Sequence, residues 1–244
     1  MGATPRWFTL ALTIPSVDRN WLQSFSQGLF DCAQGYNIKL VGGDTTAGPL
    51  TLTVQVMGEV PQGQYLTRGG AKEGDAVYLT GYIGDAIAGL GIMQDRYSAS
   101  GAQRDYLLSR FMRPTPRVEA GLALCQLANS AIDISDGLIA DLGHIAKSSR
   151  LSTELQLETI PVSDSLIQLL GKNEAQKLAL TSGDDYELCF TIAPEFERQL
   201  PALSESLQLN FSRIGEMRSG TGVSVFKPDG SSITNSATGY QHFG

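Results

Sequence analysis

Three times along this chain an apolar run meets glycine and aspartate within a few residues. The corners are Gly42-Gly43-Asp44-Thr45-Thr46, Asp133-Ile134-Ser135-Asp136-Gly137-Leu138 and Ser182-Gly183-Asp184-Asp185-Tyr186-Glu187-Leu188. Each sits where a strand meets a turn or a helix, so the segments between them must supply both kinds of element. Thr9 to Ile14 reads as a strand. The next segment, from about Asp18, places Trp21, Leu22, Phe25, Leu29 and Cys32 at helical spacing and stops at Gly35. Asn37 to Val41 reads as a strand running into the first corner. Leu52, Val54 and Val56 alternate with polar residues, the mark of a half-buried strand.

Pro61 to Gly74 is rich in glycine and polar residues without an apolar period, and marks a domain boundary, giving units of 1–60 and 61–244. Beyond it, Ala76 to Thr80 is a strand and Asp85 to Met93 a small-residue helix. Ser98 to Gln103 reads as a loop and Arg117 to Ala128 as a helix. Ala131 to Ile134 forms a strand that meets the second corner, and the helix after it carries Leu138, Ile139, Leu142 and Ile145 on one side. Tyr186 to Ile192 alternates as a strand, and Phe226-Lys227-Pro228-Asp229-Gly230 marks a hairpin. The interleaving specifies a mixed α/β or α+β chain.

Composition removes several classes of function. With 18 basic and 25 acidic residues among 244, the net charge of −7 argues against a nucleic-acid partner, whose affinity rests on neutralising phosphates. No apolar run approaches the roughly 18 residues that a membrane span needs. The segment Met1 to Trp7 lacks the pattern of a secretory signal. Cys32, Cys125 and Cys189 are far apart, which suits reduced thiols in a cytoplasmic chain.

The corners carry the chemistry. At Gly42-Gly43-Asp44, two glycines would let backbone amides approach an anion while Asp44 holds a cation bridging it; an ordinary glycine turn closed by an Asp hydrogen bond explains the same residues. Asp136 stands where a helix N-cap would stand, but Asp133 lies at an apolar strand end, where an unpaired carboxylate is costly. Two carboxylates and the Ser135 hydroxyl at a strand end suit Mg²⁺, which takes oxygen ligands and shares them with nucleotide phosphates. Asp184 and Asp185 are adjacent, so in an extended chain they point to opposite faces, one to a ligand and one to its own turn. A polar loop leading into a strand accounts for them equally. Together the corners point to kinase-like or ligase-like use of Mg–ATP. There is no GxxxxGK[ST], GxGxxG, HRD or DFG sequence, so neither the P-loop nor the protein-kinase scaffold is present. His144 and His242 are the only histidines and form no HExxH; His144 reads as a helix-surface residue.

Taken in order with Thr80-Gly81-Tyr82-Ile83-Gly84 and the ending Gly239-Tyr240-Gln241-His242-Phe243, the corners resemble bacterial thiamine-monophosphate kinase along essentially the whole chain. That family lies in the superfamily of aminoimidazole-ribonucleotide synthetase. The resemblance implies its two-domain fold and the phosphorylation of thiamine monophosphate with ATP and several Mg²⁺ ions, by a homodimer. It implies that Asp44 binds Mg²⁺ and nucleotide with Gly43, and that Asp133 and Asp136 bind further Mg²⁺. Ser135 and Arg68 would contact ATP phosphate, with Arg68 as a clamp. Asp184, with Asp185 as a neighbour, would contact the thiamine moiety, and Tyr240 would lay its ring against the heterocycle.

Family members carry an earlier segment with more magnesium aspartates, and Met1-Gly2-Ala3-Thr4-Pro5 resembles an interior piece of that family. The expectation is a truncated first domain with an incomplete ATP site. Two alternatives stand beside the kinase: a non-catalytic thiamine-phosphate binding fragment, and another ATP-using enzyme of the superfamily, such as a selenophosphate synthetase or a hydrogenase-maturation protein.

Overall fold

A computed structural model describes residues 2–233. It divides into two compact units, Gly2–Tyr65 and the chain from Leu66 onward, and the architecture is mixed α/β.

In the first unit, β1 (Thr4–Ile14), α1 (Arg19–Gly35), β2 (Lys39–Ala47) and β3 (Thr51–Glu59) follow in order. The sheet runs β2-β1-β3, with β2 parallel and β3 antiparallel to β1. The Asp18 carboxylate starts α1 by accepting from Asn20 N (2.9 Å) and Trp21 N (3.1 Å), which satisfies amides the helix cannot. Trp21 and Phe25, one turn apart, stack at 5.1 Å. Two expectations change here. First, β2 continues through Gly42-Gly43-Asp44, with Gly42 paired to Thr9 and Gly43 to Leu10, so this corner is strand interior. A register shift in β1 between Phe8 and Thr9 absorbs the irregularity, and at Gly43 (φ +147°) a Cβ would overlap the Leu10 backbone. Second, β3 is a strand but not half-buried: Leu52, Val54 and Val56 stay 42%, 47% and 58% exposed. Alternation sorts side chains to faces; it does not supply a cover for the apolar one.

The second unit is built on a seven-stranded sheet among the described residues, ordered β10-β9-β6-β8-β4-β7-β5. Its elements in chain order are β4 (Ala76–Thr80), α2 (Asp85–Met93), α3 (Gly101–Met112), α4 (Val118–Leu124), β5 (Ala128–Asp133), α5 (Leu138–Ser149) and β6 (Ser152–Gln156). There follow α6 (Asp164–Leu170), α7 (Lys172–Thr181), β7 (Leu188–Ile192), α8 (Pro194–Glu197), α9 (Leu200–Leu207), β8 (Phe211–Arg218), β9 (Gly222–Phe226) and β10 (Ser232–Ile233). Both faces of the sheet are covered. Val77, Leu79, Ile132 and Cys189 pack with Leu138, Leu142 and Ile145 of α5, while Ala76, Ala131, Phe190 and Ile192 pack with Leu124 and Leu200. A third cluster joins Ala88 and Ile92 of α2 to Leu107, Leu166 and Ala175.

The hairpin closes through Lys227 N to Ser231 O (2.9 Å), as its turn residues specify. The segment read as a loop up to Gln103 instead opens α3 at Gly101. The helix expected over 117–128 ends at Leu124, and β5 begins at Ala128. His144 is exposed on α5. No helix among the described residues is long and apolar enough to cross a membrane.

Candidate active site at the edge of the large sheet

Strand β7 lies antiparallel between β4 and β5, with Cys189 opposite Leu79 and Leu188 opposite Asp133. The C-terminal ends of β4 and β5 and the approach to β7 therefore meet at one edge, as in open α/β sheets where sites gather beyond strand ends. Pairing continues past the ladder: Ile134 N donates to Glu187 O (2.8 Å), Tyr186 N to Ile134 O (2.9 Å) and Asp184 N to Ser135 O (3.1 Å). The two corners are thereby stitched backbone to backbone. The fit admits no side chain at Gly183, where a Cβ would overlap the Ser135 carbonyl.

Asp133 ends β5 and is half-buried; Asp136 is exposed. Asp136 does not cap α5. Gly137 occupies the N-cap position, and the capping is done by Asp141 from inside the helix. Its Oδ2 accepts from Ser135 N, Asp136 N and Gly137 N, each at 3.0 Å. Burial nevertheless outweighs these three donors and holds the Asp141 carboxyl above the ordinary carboxylate range. With the turn satisfied by Asp141, the Asp133 and Asp136 carboxylates are left with no hydrogen bond or ion pair among the described residues. Both act on the Tyr186 phenol, which donates to Asp184 Oδ1 at 3.2 Å and is pushed up by burial first, then by Asp184, Asp133 and Asp136. Asp133, Asp136, Asp184 and Tyr186 thus share one acidic corner.

Asp184 and Asp185 separate by a route other than extended backbone. Asp184 (φ +65°) and Tyr186 (φ +53°) are left-handed, and Tyr186 is 39% exposed, so β7 starts only at Leu188. Asp185 is turned inward, 1% exposed, accepting from Gly84 N (2.6 Å) and Ala86 N (3.2 Å) at the start of α2. Burial raises its carboxyl to about 7 against the pull of those two amides. The structure therefore places Asp185 on a helix start rather than on an open ligand surface. Arg68 is exposed in the loop before β4, which runs along the free edge of β5, since Ala131 N donates to Thr67 O (3.0 Å). In the first unit Asp44 is exposed and accepts from Thr45 N (2.8 Å). Tyr240 lies outside the described residues.

Among the described residues no three acidic, histidine or cysteine side chains form a ready-made metal cage. Two unpartnered carboxylates with an adjacent hydroxyl fit instead a hard cation that completes its shell with water and phosphate oxygen. The supporting residues Asp141, and Arg110 and Arg117, which both bond to the Glu187 carboxylate, carried no signal in the sequence, and Glu187 only its place in the third corner.

Family models agree with this architecture. The AIR synthase related protein N-terminal domain matches residues 1–60 and the corresponding C-terminal domain residues 72–227. Thiamine-monophosphate kinase of Escherichia coli strain K12 is 49% identical over 245 aligned residues, covering 100% of this chain and 75% of that enzyme. The crystal structure of thiamine-monophosphate kinase from Stenotrophomonas maltophilia K279a superposes with a TM-score of 0.89 at 44% identity, over 96% of this chain and 74% of that one. AaThiL complexed with AMPPCP and TMP superposes with a TM-score of 0.85 at 29% identity, over 99% and 75% of the two chains. With two acidic corners stitched at the sheet edge and these relatives alongside, the chain belongs to the thiamine-monophosphate kinase family of AIR synthase related proteins.

Proposed function

We propose that this chain transfers the terminal phosphoryl group of ATP directly to the phosphate of thiamine monophosphate, giving thiamine diphosphate and ADP in the cytoplasm. The observation that carries the reading is the Asp133/Asp136 pair, left unpartnered by the turn that presents it. The relative holding AMPPCP and TMP supports both ligands.

The acceptor is a phosphate monoester, already an anionic nucleophile near neutral pH, so no side chain need act as a general base. The obstacle is bringing two anions into line, and catalysis is mainly positioning and charge neutralisation. Bound Mg²⁺ supplies that neutralisation. Asp44 would hold Mg²⁺ together with nucleotide, and Asp133 and Asp136 would hold further Mg²⁺ ions. Ser135 and the Gly43 backbone contact the nucleotide, and the exposed Arg68 clamps phosphate. Asp184 and the Tyr240 ring contact the thiamine moiety. Asp185 would support the neighbouring Asp184 by holding the start of α2.

Residues 1–60 are assigned to the ATP-binding and dimerisation domain and 61–244 to the C-terminal α/β domain. The exposed apolar residues of β3 suit a homodimer through the first unit. The test measures thiamine diphosphate formation from thiamine monophosphate and Mg–ATP, beside calorimetric binding of each. Product supports the kinase; binding of thiamine monophosphate without product favours a binding protein. A chain that gives neither binding nor product overturns the reading.

A further inference from the structure

The same sheet edge buries a second charged cluster that the proposed reaction does not use. Glu187, 1% exposed, stands at the centre. Its Oε1 accepts from Arg110 Nη2 (2.9 Å) and Arg117 Nη2 (2.6 Å), and its Oε2 from Arg117 Nε (2.6 Å) and Thr80 Oγ1 (2.7 Å). The carboxylate occupies the space a side chain would need at Gly81, where a Cβ would overlap it. Arg110 also donates to Tyr82 O (3.1 Å), but its Nε, 3.8 Å from Asp85 Oδ2, is buried without a hydrogen bond. Asp85, wholly buried, accepts from Ser163 Oγ (2.6 Å) and Tyr106 OH (2.7 Å). With Asp185, three buried carboxyls act on Arg110, and Glu187 alone of them also binds Arg117.

As a source of stability this is a poor arrangement. Desolvating such groups offsets most of their attraction, and apolar packing of similar volume commonly does as well or better. What the cluster obtains is a fixed position for the four residues before β7. Asp184 and Tyr186 bond through their backbones to the β5 corner, while the side chains of Asp185 and Glu187 are gripped on the β4 side. The alternation pins the left-handed Asp184 and Tyr186, conformations that non-glycine residues hold only when their surroundings impose them. The β5 corner has its own brace in Asp141, whose hydrogen bonds go to the amides of Ser135, Asp136 and Gly137.

We propose that Glu187, clamped by Arg110 and Arg117, is a positioning residue that presents Asp184 and Tyr186 to the organic cation of the phosphoryl acceptor, and so governs acceptor binding separately from nucleotide binding. It rests on the reading of this chain as a thiamine-monophosphate kinase. The carboxylate beside an aromatic ring suits a cationic heterocycle, and neither side chain brings the positive charge that would attract a phosphate chain.

The experiment measures, for the 244-residue chain, the dissociation constants of thiamine monophosphate and of a non-hydrolysable Mg–ATP analogue, in wild type, Glu187→Gln and Arg117→Lys. Glu187→Gln turns an acceptor into a donor facing arginine; Arg117→Lys keeps the charge and loses the two-pronged bond. Both should weaken thiamine monophosphate selectively, Glu187→Gln by at least about tenfold and Arg117→Lys by less, with the analogue within about twofold, because small misplacements of a contact are expensive. A purely structural role lowers the melting temperature and moves both constants together or neither, and that result overturns the clamp. Should Glu187→Gln fail to fold, Arg117→Lys alone decides by the same ratio. A wild-type chain that binds neither ligand overturns the functional reading itself; wild-type binding with an unselective response in the variants overturns the clamp alone.

Discussion

Asp141 separates two accounts of the β5 corner, one resting on charge and one on acceptors. Its single Oδ2 takes three amides at 3.0 Å, two part-buried and that of Gly137 fully buried. Asp141→Ala leaves all three without a partner. Water can reach the amides of Ser135 and Asp136, but the Gly137 amide would pay the full penalty of an unsatisfied buried donor, about 1–3 kcal/mol. The lost packing and the partly compensated pair bring the expected destabilisation to roughly 2–4 kcal/mol. Asp141→Asn keeps an oxygen in place. Charge assistance roughly doubles such bonds, so losing it weakens all three. Yet burial already holds the Asp141 carboxyl above its ordinary range, and the nearby Asp136 repels its charge. The two effects oppose each other, and the expected net change is under about 1 kcal/mol at neutral pH. Urea denaturation gives both values, and thiamine diphosphate formation reports whether the corner still works: Asp141→Ala should lose most turnover and Asp141→Asn little. Equal destabilisation by the two substitutions would refute the acceptor account and make the charge the brace.

Asp133→Asn and Asp136→Asn, each breaking no hydrogen bond or ion pair among the described residues, should leave the urea midpoint unchanged or slightly raised while turnover falls by about a hundredfold or more; wild-type turnover in both would remove the site. Gly183→Ala should cost at least about 3 kcal/mol, read by thermal melting, since the new methyl meets the Ser135 carbonyl rather than a movable side chain. For Asp185 the native carboxyl, raised to about 7, keeps its proton where the unfolded chain, near its ordinary value, has lost it. The native state then binds more protons, so stability is greatest at low pH, falls as pH rises between about 4 and about 7, and levels beyond. Melting temperatures of wild type and Asp185→Asn across that window should show a shallower slope in the variant; parallel curves would refute the assignment.

The elements the sequence disclosed are those whose signal lies within one turn or one strand. Asp85–Met93 and Ala76–Thr80 fall where expected, and the period of Leu138, Leu142 and Ile145 marks the buried face of α5. Local signals misled where a distant partner decided the outcome. Gly42-Gly43 reads as a turn, but pairing with Thr9 and Leu10 keeps it in the sheet. Tyr186 reads as the start of the alternating strand, yet it is left-handed and lies outside it, next to a Glu187 whose carboxylate bonds to arginines elsewhere in the chain.

The same distinction divides the candidate site. Groups meant to meet a ligand need only stand at a strand end with no partner of their own, and a run such as Asp133-Ile134-Ser135-Asp136 shows that in a few letters. Groups that hold them must find partners, and those partners are remote: Glu187 meets Thr80 across 107 positions and Arg117 across 70, while Asp185 meets Gly84 across 101. No periodicity spans such separations. A glutamate beside an acidic corner therefore reads as one more acid, although its carboxylate is the most heavily partnered at this edge among the described residues, and those of Asp133 and Asp136 have no partner there. Partnering, rather than acidity, separates the residues that brace this site from those available to a ligand, and it becomes visible only once the sheet has brought β4, β5 and β7 together.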